Sequence, residues 1–122
     1  MPPTEPCAVR ERLRRTLRDA LRARDAVAAG ALRSAIAAID NAEAVPGGSE
    51  GWLSTNPMGA AGLGATEVAR RDLSAEEMLR IVLAEAADRR AAAAQYERLG
   101  QIDAAARMRS SADLLSAIVD AS

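Results

Sequence analysis

The stretch Ser74-Ala-Glu-Glu-Met-Leu-Arg-Ile-Val-Leu-Ala-Glu-Ala-Ala-Asp-Arg-Arg-Ala-Ala-Ala-Ala-Gln-Tyr-Glu-Arg-Leu-Gly100 decides the fold. Ser74 and Glu77 spell a capping box, in which hydroxyl and carboxylate reciprocally satisfy free N–H groups of a starting helix. Gly100 marks the stop, because glycine enters the left-handed conformation at C′ without a side-chain penalty. No Pro or Gly lies between them, and apolar residues recur at 78, 82, 86, 93 and 96, with Arg89 the polar exception. That is the spacing of one helix face. About 25 residues at 1.5 Å each make a rod of roughly 37 Å.

Working outward, Gln101 to Asp120 repeats the pattern, with Ile102, Ala105, Met108, Ala112, Leu115 and Val119 as the inward stripe. Leu114 and Ile118 broaden it, leaving apolar surface on the last helix for a partner. On the N-terminal side, Val9, Leu13, Leu17 and Leu21 form an i, i+4 row in a first helix that opens near Pro6. Asp25 is the N-cap of a second helix with Val27, Leu32, Ala35, Ile36, Ile39 and Ala42 inward. Gly30 inside it is a candidate close helix crossing. The short linkage at Arg24–Asp25 makes the first two helices an antiparallel hairpin. The expected architecture is all-α: four helices over about 7–24, 26–44, 75–99 and 101–120, arranged as two hairpins in a single domain spanning 1–122.

Between the hairpins, residues 45–73 are different material, with Pro46-Gly47-Gly48-Ser49, Asn56-Pro57 and further glycines at 51, 59, 62 and 64. Segments of this length without an element act as lids or stay disordered, and a flexible linker is expected here. Trp52-Leu53 is its one adhesive point, suited to docking on the helices or on a partner.

Composition removes most enzyme classes. The chain has 122 residues, no His and a single cysteine, Cys7. Without His, a Ser-His-Asp triad and imidazole metal ligation are excluded. Cys7 has no His to activate it and no second cysteine to pair with. Every basic residue is Arg, so the lysine of a phosphate-binding loop is missing. Glu85 and Asp88 share a face of the third helix, but a carboxylate-bridged metal pair needs Glu-x-x-His motifs on facing helices. No cofactor, no metal and no enzymatic activity are expected. No apolar run approaches the 20 or so residues that span a bilayer, and no signal-peptide core is present, so a cytoplasmic location is expected.

Charge is the remaining functional signal. Net charge is −1 overall, yet residues 1–28 hold seven Arg against four acids. From Asp72 onward the balance reverses, with six Arg against nine acids. One reading is a basic helix for RNA phosphates; the other is a solvated helix whose Arg stems lie along its own apolar edge.

Two segments in order are similar to the YqeY family, small bacterial proteins related to the C-terminal region of the B subunit of the tRNA-dependent amidotransferase. The first is Leu17-Arg-Asp-Ala-Leu-Arg-Ala-Arg-Asp25, continuing through Ala31-Leu32-Arg33 to Ile39-Asp-Asn-Ala-Glu43. The second is Leu73-Ser-Ala-Glu-Glu-Met-Leu79, then Glu85, Arg89-Arg90, Gln95-Tyr96 and Leu99-Gly100. The resemblance covers the family's N-terminal helical half; the family continues beyond the position of Ile118–Val119 into a second small helical subdomain. It implies a non-enzymatic accessory role near tRNA-dependent amidation, with tRNA or an amidotransferase- or synthetase-type protein as partner. Arg14, Arg18, Arg22, Arg24 and Arg33 are then the expected RNA contacts. The alternative is a protein–protein interaction module or homodimer with no RNA role, using Trp52, Leu53, Leu114 and Ile118.

Overall fold

A computed structural model describes residues 5–44 and 72–122, and these residues form four helices with no strand among them. They are α1 (Pro6–Arg22), α2 (Ala26–Ala44), α3 (Ala75–Arg98) and α4 (Ile102–Asp120). The expected all-α pair of hairpins is the observed architecture. The expected linker 45–73 falls outside the described residues except for Asp72 and Leu73.

Local chemistry sets the ends. At Ser74 the hydroxyl accepts the Glu77 N–H at 3.0 Å and the Glu77 carboxylate accepts the Ser74 N–H at 2.9 Å. Leu73 and Met78 occupy the N′ and N4 positions around this cap and are both buried, the placement of a hydrophobic staple. Leu73, expected in the linker, therefore belongs to the core. Both hairpins turn on the same device. In the second, the Gln101 N–H bonds to the Tyr96 carbonyl at 2.8 Å and Gly100 N–H to Glu97 at 3.0 Å, with Gly100 at φ 78°. In the first, the Asp25 N–H bonds to the Ala20 carbonyl at 2.9 Å and Arg24 N–H to Leu21 at 3.1 Å, with Arg24 at φ 58°. Both are Schellman motifs. A side chain in this left-handed region costs about 1–2 kcal/mol relative to the right-handed one, so Arg24 is strained where Gly100 is not. Asp25 then starts α2 directly, its carboxylate accepting the Ala28 N–H at 3.0 Å. Its expected N-cap role is what the structure contains.

α2 and α3 are the central pair: each packs on the other, α1 on both, and α4 on both. Among the described residues the core has no aromatic side chain. Leu13, Leu32, Ile39, Leu115, Val9 and Val82 are its largest fully enclosed side chains, and Ala31, Ala35, Ala86 and Ala112 are completely buried among them. Alanine contacts let helix axes approach closely but bury little area each, so stability depends on the aliphatic residues between them. Ser111 is the one buried polar side chain among the described residues, and its hydroxyl donates to the Arg107 carbonyl at 2.9 Å.

The inward stripes differ from expectation at their ends. In α1, Ala20 is buried while Leu21 is 47% exposed. An i, i+4 row rotates about 40° per step around an α-helix, so three steps carry Leu21 off the core-facing side. In α4, Ile102 is 60% exposed although it lies in the expected stripe. The reason is tertiary. The last core residue of α3 is Ala86 and the first of α4 is Ala112. Between them only Ala93, Ala105 and Ser111 are buried, so this part of the hairpin is a two-helix finger held by its own seam. Ion pairs tie the finger: Arg109 to Glu97 at 2.7 Å, and Arg90 to Asp113 at 3.3 Å. Arg90 also donates to the Ser116 hydroxyl at 3.1 Å.

Gly30 is exposed, and a Cβ placed on it meets nothing within 4 Å. The expected close helix crossing is absent there, and glycine carries only its helix-propensity cost. Two substitutions five residues apart on α2 therefore act in opposite directions. Gly30→Ala stabilises the fold by about 0.5–1 kcal/mol, whereas Ala35→Leu, at a fully buried contact, destabilises by about 1–3 kcal/mol through overpacking. Chemical denaturation monitored by circular dichroism measures both.

Candidate nucleic-acid interface

The aliphatic stripe of α1 consumes one face of the helix and leaves six arginines on the others. Their environments divide them sharply. Arg10 turns toward α2 and forks between Asp40 at 2.9 Å and Glu43 at 2.5 Å. Its side chain is 17% exposed and that of Glu43 is 14%. Burial pulls the Arg10 pKa down, but the hydrogen bonds and charges of Glu43 and Asp40 outweigh it, and the net shift is upward. Arg10 is thus a permanent cation spent on closing the first hairpin. Arg12 reaches across the body and donates to the hydroxyl of Ser122 beyond α4.

The remaining cations point outward. Arg14, Arg18, Arg22, Arg24 and Arg33, the five arginines expected from the sequence, are all exposed. Arg14, Arg18 and Arg22 follow one another at four-residue intervals, about 6 Å apart along the axis. Arg18 pairs with Glu11 at 3.3 Å and Arg22 with Asp19 at 3.7 Å, both in largely solvated settings. Such exposed pairs contribute roughly 0–1 kcal/mol and give way readily to a stronger anion. Arg14, Arg24 and Arg33 have no ion-pair partner among the described residues.

Arg24 and Arg33 are also brought together across the α1–α2 turn. They line an open groove of about 220 Å³ whose other walls are Ala20, Leu21, Asp25, Ala26 and Ala29. The groove was not legible in the sequence, where Arg24 and Arg33 are nine residues apart. An arginine in the left-handed turn position is the one local signal, and it becomes visible only once φ is known.

The apolar partner residues expected from the sequence are placed differently. Ile118 is 6% exposed and Leu114 is half-buried against the same core. They are not spare surface, because α4 uses both to close on the body. Trp52 and Leu53 lie outside the described residues. The exposed large apolar side chains among those described are Leu21, Leu83, Leu99 and Ile102. Leu99 and Ile102, 70% and 60% exposed, sit together at the tip of the finger.

The acids offer no comparable site. Glu85 is half-buried and Asp88 exposed, and no group of three or more His, Cys, Asp or Glu side chains among the described residues can hold a metal ion. No described helix is long and apolar enough to cross a membrane. Comparison with family models, curated proteins and solved structures yields no match.

The Arg10 fork sets this arginine apart from the outward-facing ones. Arg10→Ala destabilises the protein by about 1–2 kcal/mol, since it removes the guanidinium held between Asp40 and the mostly buried Glu43 together with its packed stem. Asp40→Asn changes stability by less than about 0.5 kcal/mol, as Asp40 remains solvated. Urea midpoints of the two variants read the difference.

Proposed function

We propose that this protein is a non-enzymatic accessory factor that binds tRNA, or a tRNA-handling amidotransferase or synthetase, in the cytoplasm. The observation that carries the reading is the set of exposed arginines on α1 and around the α1–α2 turn, Arg14, Arg18, Arg22, Arg24 and Arg33. Five exposed guanidinium groups, three of them without an ion-pair partner among the described residues, provide a footprint for phosphate groups. Guanidinium engages phosphate through two parallel hydrogen bonds, which a solvated helix face does not otherwise need. The similarity of residues 17–43 and 73–100 to the YqeY family supports the same assignment. Binding of this kind rests on counterion release, so affinity falls steeply with salt.

A second reading draws on the finger. Leu99 and Ile102 form an exposed aliphatic tip with Gly100 and Gln101 between them, suited to a protein partner or a second copy of the chain. One sample distinguishes the two. Filter binding with bulk tRNA at about 50 and 200 mM salt gives strong retention at the lower concentration and at least tenfold weaker affinity at the higher. Light scattering on the same sample gives a monomer mass. Absence of tRNA retention at low salt overturns the RNA reading, and a dimer mass abolished by Ile102→Ser supports the other.

A further inference from the structure

The two hairpins make the same turn with different residues, and that contrast isolates one side chain. At Gly100 the chain places glycine in the left-handed position, the residue for which this backbone is unstrained. At Arg24 it places an arginine in the same position of the same motif. Nothing in the fold uses the arginine: Arg24 is exposed, and no hydrogen bond or ion pair engages its side chain. What its position does achieve is to bring Arg24 and Arg33 together on the lining of one groove.

The chemistry of the groove is uneven in a specific way. Its apolar lining comes from Ala20, Ala26, Ala29 and an aliphatic side chain, Leu21, that is 47% exposed. Its two cations have no partner, and its one acid, Asp25, already accepts the Ala28 N–H at 3.0 Å as the cap of α2. An occupant must therefore combine a negative group, for the arginines, with a body that tolerates apolar contact. A free inorganic anion satisfies only the first demand, and a neutral apolar ligand only the second. An unpaired nucleotide satisfies both, with its phosphate held by guanidinium and its base set against the aliphatic side chain or an arginine plane.

Resting on the reading of this face as an RNA surface, we infer that the Arg24–Arg33 groove is the seat of one unpaired nucleotide of the bound strand. Arg24 stands at a position where glycine gives the more stable turn, so stability and binding oppose each other at this residue.

That opposition supplies the test. Arg24→Gly and Arg33→Gln are compared with wild type and with Arg80→Gln, an exposed arginine on α3 outside the groove. Each variant is melted and titrated with bulk tRNA across a salt series. Arg24→Gly melts higher than wild type yet binds tRNA about tenfold more weakly, with a salt slope reduced by about one. Arg33→Gln weakens binding to a similar extent, and Arg80→Gln binds as wild type does. If wild type binds tRNA and the two groove variants bind equally well, the groove assignment is overturned while the RNA surface stands. If wild type retains no tRNA, amide shifts on addition of adenosine monophosphate decide: shifts confined to Leu21, Arg24, Ala29 and Arg33 keep the groove as a nucleotide site without the RNA surface. Absence of both removes the two together.

Discussion

The structure depends on a seam of alanine. With no Phe anywhere in the chain, the body closes by bringing helix backbones near one another at Ala31, Ala35, Ala86 and Ala112, all of them fully buried. Each such contact removes little apolar area from water, so no two helices of this sequence hide enough surface alone. Leu13, Leu32, Ile39, Val82 and Leu115 contribute the larger share of burial, and they come from all four helices. The central placement of α2 and α3 follows, because these two elements carry the alanine-lined faces that both outer helices need. Beyond Ala86 and before Ala112 the seam continues with only two helices, and it leaves Leu99 and Ile102 uncovered.

The same economy decides what the arginines do. A core made of short side chains leaves little interior room for guanidinium groups, so most arginines stand on the outside of the helices, and the buried Nε of Arg89 is an exception. Arg10 is drawn into structure because two carboxylates on α2 converge on it. Arg14, Arg24 and Arg33 meet no such partner. The contrast between Arg24 and Gly100, in the same left-handed position of the same motif, gives the basic face its functional interest.

What could be read from the sequence was what local chemistry determines. The capping box at Ser74, the stop at Gly100 and the N-cap at Asp25 each rest on residues within a few positions of one another, and each is present. The five arginines were also legible, because exposure of charge is close to a default. Long-range features were not. Leu21 and Ile102 matched their helical stripes but are exposed: one rotates off the core, and the other lies on a finger whose length only packing reveals. Ile118 was read as surplus apolar surface because the helices it closes against lie distant in sequence. Arg24 gave no sign of its left-handed backbone, since arginine is ordinary in a helix and becomes notable only at C′.

The layering of the fold, a four-helix body carrying a two-helix finger, is tested most directly by native-state amide hydrogen exchange. Amides around Leu32, Val82 and Leu115 sit where helices pack on several sides, and those of residues 94–106 sit where two helices share an alanine seam. The second group opens by a separate, lower-energy local event, exchanging well before global unfolding and in a denaturant-independent manner. Equal protection of both groups, lost together in one cooperative step, would contradict it.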